Sequence, residues 1–234
     1  MNPLDRPVWA SLQYAPHLAI GSGAALRYVP DVHCFAASRD DEPASLRALA
    51  DLVAPGHTIF VAQSAPIQVP PGLQILKQAQ GVQMVAQQPM QAVAPGATTP
   101  GTAAPEATVQ VLGDADAPDM LALAQLTEPG PFLPRTHTMG RFVGIRENGR
   151  LMAMAGERMR FAGATEVSGV CTHPEARGKG YARLLSALVT DHIQRRGDQA
   201  FLHAWVTNRP AIALYESLGY RTRAVLHIGM LAKP

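Results

Sequence analysis

The residues Arg177-Gly178-Lys179-Gly180-Tyr181-Ala182 join backbone freedom to positive charge immediately before a run of helical apolar spacing. Glycines at 178 and 180 let the main chain come close to a ligand and accept dihedral angles that a Cβ would forbid. The first turn of a helix also presents N–H groups without intrahelical partners and the positive end of the helix dipole. Together these features make a seat for an anion such as a phosphate, with Arg177 and Lys179 supplying charge at its rim. On the turn alone, a plain tight connection between a strand and a helix is the competing reading.

Such a seat needs a strand before it and a helix after it, and the sequence supplies both. Residues 166–172 have strand character, and Tyr181, Leu184, Leu185, Leu188, Val189 and Ile193 keep one helical face until Gly197 ends it. Upstream, 108–112 reads as a strand, and Asp114 or Asp116 could cap a helix through Met120, Leu121, Leu123 and Leu126. Residues 141–145 and 151–158 flank Asn148-Gly149, whose tolerance of positive φ predicts a tight hairpin. Downstream come a strand at 200–206, a helix capped by Asn208 with Pro210 in its first turn, and a strand at 220–231 after Gly219.

The segment 93–106, rich in Pro, Gly, Ala and Thr, reads as a linker or long surface loop. Before it, a helix at 45–53 and strands at 58–62, 82–86 and 17–20 suggest a small mixed α/β unit. The expected organisation is therefore a small N-terminal unit over 1–105 and a second domain over 106–234.

At 234 residues, with 47% hydrophobic and 16% charged residues, the chain can bury a sizeable core. A formal charge of +2, with few aromatics among the basic residues, argues against nucleic acid. No stretch approaches the roughly 20 apolar residues of a membrane span, and the N-terminus lacks the features of an export signal. A soluble cytoplasmic protein is expected. Cys34 and Cys171 lie far apart without metal-ligand spacing, so reduced thiols and no metal are expected.

In Arg177, Gly180 and Ala182 the loop resembles the pyrophosphate-binding signature of the GNAT acetyltransferase superfamily, which reads Arg or Gln, any two residues, Gly, any residue, Gly or Ala. The preceding Val170-Cys171-Thr172-His173-Pro174 is similar to the strand and turn that lead into that loop. The stretch Asn208-Arg209-Pro210-Ala211-Ile212-Ala213-Leu214-Tyr215-Glu216-Ser217-Leu218-Gly219-Tyr220 resembles the family's second signature. The likeness runs from near Thr108 to the end of the sequence and is sharpest between Glu166 and Tyr220.

This resemblance implies an α/β (α+β) fold with a mixed, mostly antiparallel sheet and flanking helices. It implies acetyl-CoA as co-substrate, and transfer of an acetyl or short acyl group to a primary amine of a small molecule or peptide in a ternary complex. The strand before the loop would splay from its neighbour, so that Val170, Cys171 and Thr172 line the pantetheine arm. Arg177, Gly178, Lys179, Gly180, Tyr181 and Ala182 would hold the pyrophosphate, with Asn208 and Tyr215 also against the cofactor.

Aminolysis of a thioester requires removal of a proton from the amine and a donor for the departing sulfur. Tyr215 occupies the position at which many family members use a tyrosine hydroxyl as general acid, although a helix aromatic also packs cores. Glu166 resembles the glutamate base of some members, acting directly or through water; a solvated charge at a strand start is the alternative. His203 and His173 are weaker candidates, and Cys171 is expected to pack beside the pantetheine arm. Met152, Met154 and Met159 are expected to fill the packed face of the hairpin. Arg135, His137 and Arg141 would tolerate a carboxylate-bearing amine.

Family members commonly end in two strands after the second signature, whereas only 220–234 remains here. One strand is therefore missing or fused, and either the N-terminal unit or a second copy in a homodimer is expected to cover the sheet edge. A non-catalytic acyl-CoA-binding regulatory module is the competing function. A nucleotide-binding loop is disfavoured, because Gly178-Lys179 is not followed by Ser or Thr.

Overall fold

The structure, a computed structural model, describes residues 2–90 and 108–234. The expected linker at 93–106 falls outside these residues. The N-terminal part contributes α1 (Pro7–Tyr14), the strands β1 (Ala19–Ser22), β2 (Ala25–Tyr28) and β3 (Ala36–Ser38), α2 (Pro43–Asp51), β4 (Thr58–Gln63) and β5 (Gln74–Ala86). Then come β6 (Val109–Leu112), α3 (Ala117–Thr127), β7 (Phe142–Glu147), β8 (Arg150–Phe161) and β9 (Ala164–Thr172). The remainder is α4 (Tyr181–Arg195), β10 (Gln199–Trp205), α5 (Arg209–Ser217) and β11 (Tyr220–Ala232).

Strands β1 to β3 form a small antiparallel sheet, while the other strands make one sheet of eight in the order β4-β11-β5-β10-β9-β8-β7-β6. Only β9 and β10 pair in parallel within it. The Asn148-Gly149 turn has φ of 50° and 81°, the double left-handed geometry that matches strand twist.

Strand pairing crosses the boundary expected at 105/106. β5 lies between β10 and β11, and β4 flanks the other side of β11. The two N-terminal strands thus supply hydrogen-bond partners for both edges of β11, where a second terminal strand was expected. β5 is also much longer than the 82–86 read from sequence, because its first half is exposed, without an alternating apolar face, and pairs only with β11.

Side-chain alternation divides the sheet into two packed faces. Ala200 and Leu202 join Tyr181, Leu185, Val189 and Ile193 of α4 and Tyr215 of α5. Phe201, between them in sequence, points to the other side and meets Val8, Trp9 and Leu12 of α1 with Phe35, Met159 and Leu226. The N-terminal segment therefore forms the second layer of the core. Helix α1 had escaped the sequence reading because five of its eight residues are buried and no clean polar face marks it.

Candidate active site

Between β9 and β10 the sheet opens. The parallel register runs from Gln199↔Ala164 to Leu202↔Val167 and then stops, leaving residues 168–172 and 203–205 to diverge. Gly169, with φ of 63°, sits where the pairing of β9 with β8 slips. Such bulges bend a strand and re-aim its side chains. The result is a cleft of about 390 Å³ running between the two strands.

One end of the cleft is backbone-built. Gly178 and Gly180 have φ of 82° and 79°, and α4 begins at Tyr181 directly behind them. A Cβ built on Gly178 meets no atom within 4 Å, so space beside the loop is open. Arg177, Ala182 and Asn208 line the cleft, as do Val170, Cys171 and Thr172 along β9. Thr172 Oγ1 is buried without a hydrogen-bond partner among the described residues. Lys179 and Tyr181 turn instead to Glu147: Nζ lies 2.9 Å from both carboxylate oxygens, and the Tyr181 hydroxyl donates at 2.6 Å. Asn208 caps α5 by accepting from the Ala211 N–H at 3.2 Å.

Midway, the Tyr215 ring is buried against Tyr220, with centroids 6.1 Å apart, and also lines the cleft. Burial, with the nearby Cys171 sulfur, pushes its hydroxyl up to about 12, so the proton is held at neutral pH. Burial likewise pushes the Cys171 thiol up to about 12, which keeps it a packing group rather than a thiolate.

The other end of the cleft is built from side chains brought together by distant elements. Glu166, paired in register with Phe201, points to the face covered by the N-terminal segment and is fully buried. Arg158 Nε and Nη2 donate to its two oxygens at 2.8 and 2.6 Å, and His203 Nδ1 lies 2.7 Å from Oε1. Burial alone would raise the Glu166 pKa, but the charge and hydrogen bonds of Arg158, with His203, hold it far below the ordinary carboxylate range.

Glu166 itself does not line the cleft. It sits behind Arg158 and His203, and those two line the cleft. His203 Nε2 faces the Gln83 amide at 3.1 Å, while Gln83 donates to Leu4 O and accepts from Arg223. Phe35, Phe60 and Ala62 of the N-terminal segment complete this wall together with Met159, Leu226 and Ile228.

Several sequence candidates are occupied elsewhere. His173 caps a short turn at the Glu175 N–H and contacts Arg150. Arg135 pairs with Asp31, and His137 with Asp114. Met152 and Met154 fill the core as expected. Arg158 was missed, because one arginine on an alternating strand reads as solvent-facing. The available signal was Glu166 eight residues on, across the turn at Ala162-Gly163.

Comparison with known proteins places these features. A family model described as FR47-like protein matches residues 142–227. A mycothiol acetyltransferase from Thermomonospora curvata is 37% identical over 87 residues, which is 37% of this chain and 29% of that protein. The chain thus matches under a third of that relative's length. A structure assigned as a GNAT-family acetyltransferase from Novosphingobium aromaticivorans superposes with a TM-score of 0.89 at 39% identity, over 100% of both chains. A GCN5-related N-acetyltransferase from Kribbella flavida has a TM-score of 0.62 at 22% identity over 98% of this chain and 96% of its own, a likeness of fold. Among the described residues, no helix is long and apolar enough to cross a membrane.

Proposed function

Because the chain belongs to the GNAT family of acetyltransferases, we propose that it transfers an acetyl or short acyl group from acetyl-CoA to a primary amine, by direct attack with both substrates bound. The observation that carries this reading is the divergence of β9 from β10 after Val167 and Leu202, with the glycine loop at one end of the opening and Tyr215 along it.

The residues present fit the co-substrate. The left-handed glycines, the start of α4 and Arg177 suit a pyrophosphate. The edge of 168–172 that faces β10, left without a strand partner while the other edge pairs with β8, suits the amides of a pantetheine arm, and Thr172 Oγ1 has an unmet hydrogen bond there. Lys179 and Tyr181 contribute by fixing the loop through Glu147, and Gly178, Gly180 and Ala182 by giving close access.

Acetyl-CoA supplies the acyl group as a thioester, whose carbonyl the amine attacks as the carbon–sulfur bond breaks. Tyr215, protonated well above neutral pH, is assigned as the donor to the departing sulfur. Glu166 is assigned as a positioning residue that holds Arg158 and His203, and water in the open cleft takes the amine proton. The N-terminal segment is assigned to the acceptor wall, as part of the catalytic unit rather than a separate domain.

Free thiol released from acetyl-CoA across an amine library tests the reading, with turnover expected for at least one acceptor class. CoA binding without turnover of any amine would point instead to a non-catalytic acyl-CoA-binding module.

A further inference from the structure

The acceptor end holds a cation whose donors are only partly used. Guanidinium carries five N–H donors in a rigid fork. Glu166 takes one from Nε and one from Nη2, and no other acceptor is bonded to Arg158 among the described residues. The group is nonetheless only 11% exposed and borders the cleft. Its plane is fixed twice over, by the bidentate grip of Glu166 behind it and by the Phe35 ring, whose centroid lies 5.4 Å from Cζ. A guanidinium pinned on one edge and open on another is already oriented to take a second carboxylate, without rotamer freedom to lose on binding.

Apart from His203, which is engaged by Glu166 and Gln83, the wall at this end is apolar, with Phe60, Ala62, Leu226 and Ile228 lining the same cleft as the cation. An amine with a bare hydrocarbon chain would leave the remaining N–H groups of Arg158 desolvated and unpaired. A strongly polar chain would meet those walls. Both mismatches cost free energy. An acceptor that combines an anionic group with an apolar body satisfies both features at once.

On the acyl-transfer reading above, we propose that the acceptor is an amine bearing a carboxylate and an apolar side chain, an amino-acid-like molecule whose carboxylate docks on the open edge of Arg158. The amine then lies toward Tyr215 and β9, and the apolar chain against the wall supplied by the N-terminal segment. In this arrangement Phe35, Phe60 and Ala62 of the N-terminal segment determine specificity, and the 177–182 loop takes no part in choosing the acceptor.

The test uses the full chain, acetyl-CoA and matched acceptors: phenylalanine, phenylalaninamide and 2-phenylethylamine, and the corresponding leucine series, with glycine as an acid lacking the apolar chain. Sites built to hydrogen-bond a substrate group discriminate strongly against analogues without it, so kcat/KM should be at least about a hundredfold higher for the acids than for the amides or amines. Glycine should lag behind phenylalanine and leucine.

Arg158→Lys, which keeps a charge opposite Glu166, should raise KM for the acids while leaving CoA affinity within about twofold, the latter serving as the check on folding. Turnover of the amides or amines within about tenfold of the acids overturns the inference and leaves acyl transfer standing. If no acceptor in any series is turned over, the acyl-transfer reading fails separately. Calorimetry with CoA present then decides the inference: binding of N-acetylphenylalanine but not its amide upholds it, and equal binding or none overturns it.

Discussion

The two ends of the cleft are made differently. At the glycine-loop end, where we propose that CoA binds, what matters is main-chain geometry: left-handed glycines at 178 and 180 and the first turn of α4. At the acceptor end, Arg158 comes from β8, Glu166 from β9, His203 from β10, Gln83 from β5 and Phe35 from the segment before β3. A local backbone device tolerates side-chain change outside its glycines. A convergent buried cluster depends on its members together, because the buried Glu166 charge is held chiefly by Arg158 and His203, with the Met159 N–H beside them.

That contrast predicts the largest effect at Arg158. Arg158→Met takes the fixed cation from the buried Glu166 carboxylate, leaving it only His203 and the Met159 N–H, and should cost about 3–5 kcal/mol in denaturant unfolding. A loss below about 1 kcal/mol would mean that the cluster is not coupled as described. The same cluster sets a pH dependence. The Glu166 pKa is depressed in the fold relative to its ordinary 4.5, so its contribution is fully present above that value. As pH falls below 4.5 the unfolded chain takes up the proton first, and stability declines toward the folded pKa. Glu166→Gln should flatten this acid limb in urea titrations, besides lowering stability at neutral pH.

Next in size, Tyr215→Phe should lower kcat by about a hundredfold with CoA affinity nearly unchanged, since only the proton donor is removed. Equal losses in kcat and CoA binding would instead assign the ring to packing. At the backbone-built end, Gly178→Val meets no neighbour but forces a β-branched residue to positive φ. It should cost roughly 1–2 kcal/mol and weaken CoA binding about tenfold by calorimetry. The smallest effect belongs to Asn208→Ala, which removes the α5 cap and should cost about 1 kcal/mol in thermal unfolding. A loss confined to CoA affinity would show that contact with the cofactor outweighs the cap.

The same contrast explains what could be read from the sequence. The glycine loop, the Asn148-Gly149 hairpin and the Asn208 cap were legible, since each depends on residues adjacent along the chain. The helices α3 and α4 followed from periodicity and α5 from its cap and Pro210, whereas the mostly antiparallel sheet came from the family resemblance. The placement of β5 between β10 and β11 was not legible, because nothing in Gln74–Ala86 names a partner more than a hundred residues away. Arg158 and the burial of Glu166 were hidden for a related reason. Glu166 reads as a base or a solvated charge at a strand start, and nothing in the sequence announces the α1 layer that buries its face.

The position of β5 also bears on how the protein is made. During synthesis this strand emerges well before either neighbour: β10 begins at Gln199, and β11 follows only at Tyr220. Until then Val82, Met84 and Val85, which end in the core or pack against it, have no sheet to join. Non-local pairing of this kind slows folding and exposes edges that can aggregate. In the exposed first half of β5, Gln74, Lys77, Gln78 and Gln80 surround Ile75 and Leu76 with polar side chains and keep the waiting strand compatible with water until β11 arrives to close the sheet.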